Sequence, residues 1–191
     1  MILGITGGTG CGKTTLLKEL QALGGVLFDC DAIYHELLAR DRELLDAIEA
    51  RFTGVAENGV LDRKKLGKIV FSDEKALLNL NAITHSAVKR EVLRRLAAKP
   101  ELAAIDAIAL FEGGLAELCD LTVAVTAPEA DRVRRLMARD EIGEEYARAR
   151  IAAQKPECWF AEHCDFVLRN DGSLEEFQTK CRTFLRSHVK K

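Results

Sequence analysis

The run Gly7-Gly8-Thr9-Gly10-Cys11-Gly12-Lys13-Thr14 satisfies the pattern G-x-x-x-x-G-K-[ST], and few folds accommodate it. It lies between Met1–Thr6, which reads as a short apolar strand, and Lys13–Leu23, which reads as a helix burying Leu16, Leu17, Leu20 and Leu23 and stopped by Gly24-Gly25. Strand, glycine loop and helix in that order give the glycines a purpose. Lacking side chains, they let successive backbone N–H groups wrap a phosphate, and the helix that begins near Lys13 adds the positive end of its dipole. Gly8, Thr9, Gly10, Cys11, Gly12, Lys13, Thr14 and Thr15 are the expected contacts to ATP, with Lys13 reaching the β- and γ-phosphates and the Thr14 hydroxyl holding Mg2+. No Asn-Lys-x-Asp guanine-specificity motif occurs, which argues against a GTP-dependent switch.

The rest of the chain completes an α/β pattern. With 191 residues and 48% hydrophobic content it is long enough for one substantial core with insertions. Val26–Phe28 reads as a second buried strand, and strand signals return at Ala103–Phe111, Leu121–Val125 and Phe166–Leu168 with helical pattern between them. The expectation is a three-layer fold of the P-loop NTPase type with a mostly parallel five-stranded sheet. From Asp41 to Ala98 the pattern is helical with no strand evident, and Val88, Val92 and Leu96 share a stripe. One domain therefore divides into a core (1–31, 101–139 and 164–191), a helical insertion able to bind substrate (32–100) and a lid (140–163). Ser173 and Glu176 form a capping-box pattern for a last helix with Leu174, Phe177, Cys181, Phe184 and Leu185 on its apolar side.

Candidate chemistry clusters at the strand ends. Asp29-Cys30-Asp31 follows strand two, and in a parallel sheet the carboxyl ends of neighbouring strands share an edge with the glycine loop. Asp31 can accept the proton of an attacking hydroxyl, or it caps the next helix; Asp29 orients magnesium-bound water, or only satisfies the turn. Glu112 follows the apolar run Ile108–Phe111, a placement suited to substrate or to magnesium-bound water, or to a solvated strand end. Arg132, Arg135 and Arg139 recur at helical spacing, and every basic residue from Glu129 to Arg150 is an arginine. They read either as a solvated, salt-bridged helix pair or as a mobile lid whose guanidinium forks close on ATP phosphates.

Composition removes other classes. Twenty-eight basic residues against 30 acidic ones, a net charge of −2, give no general attraction to nucleic acid or to an anionic membrane. The start lacks a signal-peptide pattern and no later stretch is long enough to span a bilayer, so a cytoplasmic protein is expected, with no obligatory protein partner evident. The six cysteines contain no CxxC pair and read as reduced thiols; Cys158, His163 and Cys164 lie close but lack a fourth metal ligand. A lone His85 on a helix is more often structural than catalytic, and Trp159 and Phe160 read as packing residues.

In addition, the whole chain from Ile2 to Leu185 resembles the dephospho-coenzyme A kinase family. The matching pieces are Gly4-Ile5-Thr6-Gly7-Gly8, Phe28-Asp29-Cys30-Asp31, Leu61-Asp62-Arg63, Phe71-Ser72-Asp73, Asn81-Ala82-Ile83-Thr84-His85, Leu110-Phe111-Glu112, Arg135-Leu136-Met137-Ala138-Arg139-Asp140, Ala149-Arg150-Ile151-Ala152-Ala153-Gln154 and Cys164-Asp165-Phe166-Val167-Leu168-Arg169-Asn170. The resemblance implies a coenzyme-binding helical insertion, an arginine-bearing lid, and transfer of the ATP γ-phosphate to the ribose 3′-hydroxyl of dephospho-coenzyme A. It implies Asp31 as base, Lys13 and Arg139 at the transferring phosphate, Arg63 and His85 at the acceptor, and Asn170 to Gly172 beside the adenine. The alternative is a nucleoside or nucleotide kinase of related fold. The chain departs from the family at Cys11, where a serine or another small residue is usual; the change is expected to be tolerated because the loop binds through its backbone.

Overall fold

The computed structural model describes residues 1–57 and 59–189; Lys190 and Lys191, at the end of the expected core range, lie outside them. In chain order the elements are β1 (Ile2–Thr6), α1 (Lys13–Ala22), β2 (Val26–Asp29), α2 (Cys30–Arg40), α3 (Arg42–Arg51), β3 (Ala56–Glu57), β4 (Val60–Leu61), α4 (Arg63–Val70), α5 (Glu74–Leu96), β5 (Ala103–Asp106), β6 (Leu121–Thr126), α6 (Glu129–Asp140), α7 (Glu144–Ala152), α8 (Glu157–His163), β7 (Phe166–Arg169) and α9 (Leu174–His188). They form two compact units. Met1–Phe28, Pro100–Leu110 and the chain from Ala116 onward make one, and Asp29–Lys99 with Phe111–Leu115 make the other.

The first unit holds the five-stranded sheet, in the order β2-β5-β1-β6-β7. β1 is central and pairs in parallel with both β5 and β6, and β6 pairs in parallel with β7. From β1 the chain first builds the β2–β5 side and then crosses to β6 and β7, so the topology switches direction at β1, where the glycine loop leaves its carboxyl end. Leu3, Ile5, Val123 and Val125 present one sheet face to Leu16, Leu17 and Leu20 of α1 and to Phe177, Cys181, Phe184 and Leu185 of α9. The capping box of α9 is formed: the Ser173 hydroxyl accepts from the Glu176 N–H, and the Glu176 carboxylate accepts from the Ser173 N–H.

Three expectations for this unit are corrected. Leu23 and Leu174 are exposed, because each sits at a helix end where the apolar stripe has run past the sheet. β2 is an edge strand, so of Val26–Phe28 only Phe28 is buried. β5 ends at Asp106 rather than Phe111; the Ala107 N–H makes a last bond to the Ile5 carbonyl, and the chain then turns. Ala107 and Leu110 stay buried through that turn, so hydrophobicity alone does not mark the strand's end.

In the second unit, α2, α3, α4 and α5 are N-capped by Asp29, Asp41, Asp62 and Asp73, whose carboxylates accept from first-turn amides. The expectation of no strand between Asp41 and Ala98 is overturned by an antiparallel hairpin, Ala56↔Leu61 and Glu57↔Val60. Its strands are too short to show a period-two pattern, and its sequence signal is the dipeptide Asn58-Gly59, with Gly59 at φ 78. α2 and α5 are tied by charge: Glu91 lies between Arg94 Nε at 2.7 Å and Arg95 Nε at 2.8 Å, and Arg95 also reaches Glu36 at 2.6 Å. The hydrogen bond from Arg94, opposed by burial and reinforced by Arg95, holds the Glu91 carboxyl at about 2.

All six cysteines are free, and burial pushes the Cys119 and Cys181 thiols up to about 12. No helix among the described residues is long and apolar enough to cross a membrane.

Candidate active site

The glycine loop is a preformed anion cradle in the first unit. Gly7 has φ +132, and a Cβ there would collide with the Val125 carbonyl; Gly12 has φ +96, and a Cβ there would meet the Asn170 amide. Neither position accepts another residue without moving the sheet or the loop. Gly12 caps α1, and no side chain takes up the first amides of that helix. Lys13 Nζ arches back to donate to the Gly7 carbonyl at 3.0 Å, and the Thr15 N–H donates to Gly12 at 3.0 Å. Thr14 is exposed on the first turn.

Cys11 faces inward. It is 3% exposed within the α1–α9 core, and burial pushes its thiol up despite the nearby Arg132 and Lys13 cations. Its carbonyl accepts from Asn170 Nδ2 at 2.9 Å, and the Asn170 N–H donates to Thr126 at 2.7 Å. The segment after β7 is therefore fastened to the loop through a buried amide. Gly172 lies beyond it, exposed beside Glu176 at the start of α9.

The arginines divide. Arg132 Nε donates to the Thr9 carbonyl at 2.9 Å and Arg135 Nη1 to the Gly10 carbonyl at 3.1 Å, so both grip the loop itself. Arg139, 61% exposed, forks onto Asp140 at 2.6 and 3.0 Å, and Arg150 holds the same carboxylate at 2.6 Å. Arg134 pairs with Asp131 and Arg148 with Glu144 and Glu129, on the surface. The salt-bridged reading thus describes Arg134, Arg139, Arg148 and Arg150 here, while Arg132 and Arg135 are loop ligands. Phe160 is buried, and Trp159 stacks on His163 at 4.0 Å.

Of the remaining candidates, Asp29, Asp31, Arg63, His85 and Glu112 belong to the second unit. Asp29 Oδ1 accepts from the Ala32 N–H at 3.0 Å and is the cap of α2, so the capping alternative for Asp31 falls away. Asp31 is exposed in the first turn of α2 and takes no hydrogen bond or ion pair among the described residues. Arg63 opens α4 and borders a cavity of about 180 Å³ floored by Leu38, Leu61, Leu66 and Val70, with Tyr34 beside it. Burial pushes the Tyr34 hydroxyl up and the Arg63 cation opposes this. His85 is partly exposed on α5, and Glu112 is exposed past the turn that follows β5.

Sequence reasoning missed Asp106 and Gln154. Asp106 ends β5 beside Ile5 of β1, and its Oδ1 is buried, which puts a second carboxylate at a strand end besides Glu112. The signal was there, an acid closing Ala103–Ile105, but the assumed longer strand hid it. Gln154 Oε1 accepts from the Thr9 N–H at 2.8 Å, a contact no local pattern announces. For magnesium, the first unit offers oxygen donors, the Thr14 hydroxyl and the Asp106 carboxylate. Among the described residues no group of three or more His, Cys, Asp or Glu side chains is placed to hold a metal. That donor set fits a hard cation shared with phosphates better than a self-contained metal centre.

Known proteins resemble this chain over nearly its full length. Residues 1–176 match the family model described as Dephospho-CoA kinase. A dephospho-CoA kinase of Carboxydothermus hydrogenoformans is 35% identical over 191 residues, covering 97% of this chain and 93% of its own. A solved protein from Thermus thermophilus is 35% identical with TM-score 0.80, covering 100% of this chain and 98% of its own. The dephospho-CoA kinase of Campylobacter jejuni is 26% identical with TM-score 0.60, covering 97% and 96%. A phosphate loop on the central strand of a parallel sheet, arginines along the helix after β6, and a family match across nearly the full length lead to one conclusion: this chain belongs to the dephospho-CoA kinase family.

Proposed function

We propose that the chain transfers the γ-phosphate of MgATP to the ribose 3′-hydroxyl of dephospho-coenzyme A. The observation that carries the reading is the preformed cradle from Gly7 to Thr14 in a chain that matches the family over residues 1–176. Loop amides and the α1 N-terminus bind the phosphates, and Lys13 exchanges its bond to the Gly7 carbonyl for the β- and γ-oxygens. The Thr14 hydroxyl and the Asp106 carboxylate would hold magnesium, which would supply neutralisation of the charge on the phosphates. Asn170 to Gly172 border the adenine, Arg63 and His85 hold the acceptor, and Glu112 contributes there. Asp31 takes the proton of the 3′-hydroxyl as its oxygen bonds to the γ-phosphorus and the bond to the β-phosphate oxygen breaks.

ADP release is expected to depend on dephospho-coenzyme A, and Asp31→Asn isolates the base. It keeps size and cannot accept the proton, and with Asp29 as the cap the melting temperature is expected to hold. The expected result is a fall in kcat of about 10²-fold or more with a smaller change in KM. A kcat within a few-fold of wild type removes Asp31 from the mechanism.

A further inference from the structure

A closed ring of hydrogen bonds holds the phosphate loop from outside. Gln154 Oε1 accepts from the Thr9 N–H at 2.8 Å and from Arg132 Nη2 at 2.8 Å, while Arg132 Nε donates to the Thr9 carbonyl at 2.9 Å. Both backbone groups of Thr9 are thereby engaged by two side chains that also bond each other. Arg135 adds a bond to the next carbonyl, Gly10, at 3.1 Å. Gly8 makes room for the ring: a Cβ there would collide with the Arg132 guanidinium and stand 2.8 Å from Gln154 Oε1.

The geometry sets what the ring can do. A phosphate loop works by turning N–H groups inward, so its carbonyls must be held outward. The Thr9 carbonyl shares a rigid peptide plane with the Gly10 N–H, and fixing one fixes the direction of the other. Arg132 has committed both Nε and Nη2, and Arg135 is spent on a carbonyl, so of the three arginines on this face Arg139 alone is engaged away from the loop, by Asp140. When Arg139 leaves, Arg150 still balances Asp140.

We infer that Gln154 and Arg132 are positioning residues: their ring on Thr9 shapes the loop before ATP arrives, joining the end of the α7 segment and α6 to the nucleotide site. The inference rests on the loop being the ATP site. Without the ring the loop pays for ordering when the nucleotide binds, so the loss falls on ATP affinity and spares the chemical step.

The test is titration calorimetry with a non-hydrolysable magnesium ATP analogue, alongside steady-state kinetics. Gln154→Met keeps the volume and removes the acceptor; it is expected to weaken analogue binding about tenfold, the size of one lost hydrogen bond in a part-buried site. At saturating ATP its kcat should stay within about threefold of wild type. Gln154→Glu retains an oxygen for both donors and should bind several-fold more tightly than Gln154→Met. Arg132→Lys, unable to span Thr9 and Gln154 together, should reproduce the Met defect in a separately folded variant. Unchanged analogue binding in Gln154→Met, a loss confined to kcat, or a Glu variant no better than Met overturns the ring. Failure of the wild type itself to bind the analogue sinks the ATP-site reading instead.

Discussion

Lys13→Ala is expected to leave a folded protein with almost no turnover, a loss on the order of 10³-fold or about 4 kcal/mol. The side chain folds back over the loop, bonded to the Gly7 carbonyl, which keeps its ammonium at the proposed ATP site. It packs no core, and α1 is held by Leu16, Leu17 and Leu20, which the substitution does not touch. Circular dichroism should therefore match wild type while acceptor-dependent ADP release disappears. A folded Lys13→Ala protein with near-normal rates would mean that this loop is not the ATP site.

Arg139→Ala is expected to cost on the order of 10³-fold in kcat, the scale of an arginine that meets phosphoryl charge only in the transition state. Arg139 is exposed and paired with Asp140, and among the described residues it takes no hydrogen bond to the loop. Arg139→Lys should recover only part of the loss, since an ammonium lacks the planar fork. Arg134 is the control: it points to the surface, paired with Asp131, and Arg134→Ala should be nearly silent. If Arg139→Ala and Arg134→Ala both stay within a few-fold of wild type, the arginines of α6 beyond Arg132 and Arg135 are a solvated surface and the lid has no catalytic arm.

What the sequence disclosed follows the range of the interactions involved. The glycine loop was legible because strand, loop and helix are contiguous and each glycine answers a local demand, as Gly7 and Gly12 do. The capping box at Ser173 and Glu176 was legible for the same reason. The end of β5 was not, because Ala107 and Leu110 of the same apolar run stay buried after the hydrogen-bond ladder has stopped, and the longer strand hid Asp106 as a strand-end carboxylate. The roles of Arg132 and Gln154 were out of reach: they bond to Thr9 across the length of the chain, and a helical face of arginines looks alike whether its guanidiniums meet carbonyls, carboxylates or phosphate. Asp29 and Asp31 show the middle case. Both were marked, and only the hydrogen bond from Ala32 decided which one caps α2.

The acceptor is identified by initial rates of ADP release from MgATP with dephospho-coenzyme A, nucleosides and nucleoside monophosphates. The highest kcat/KM is expected with dephospho-coenzyme A, with a product carrying its new phosphate on the ribose 3′-oxygen, read by phosphorus NMR. A nucleoside or nucleoside monophosphate turned over as well or better, or ADP release indifferent to any acceptor, would contradict dephospho-coenzyme A as the acceptor.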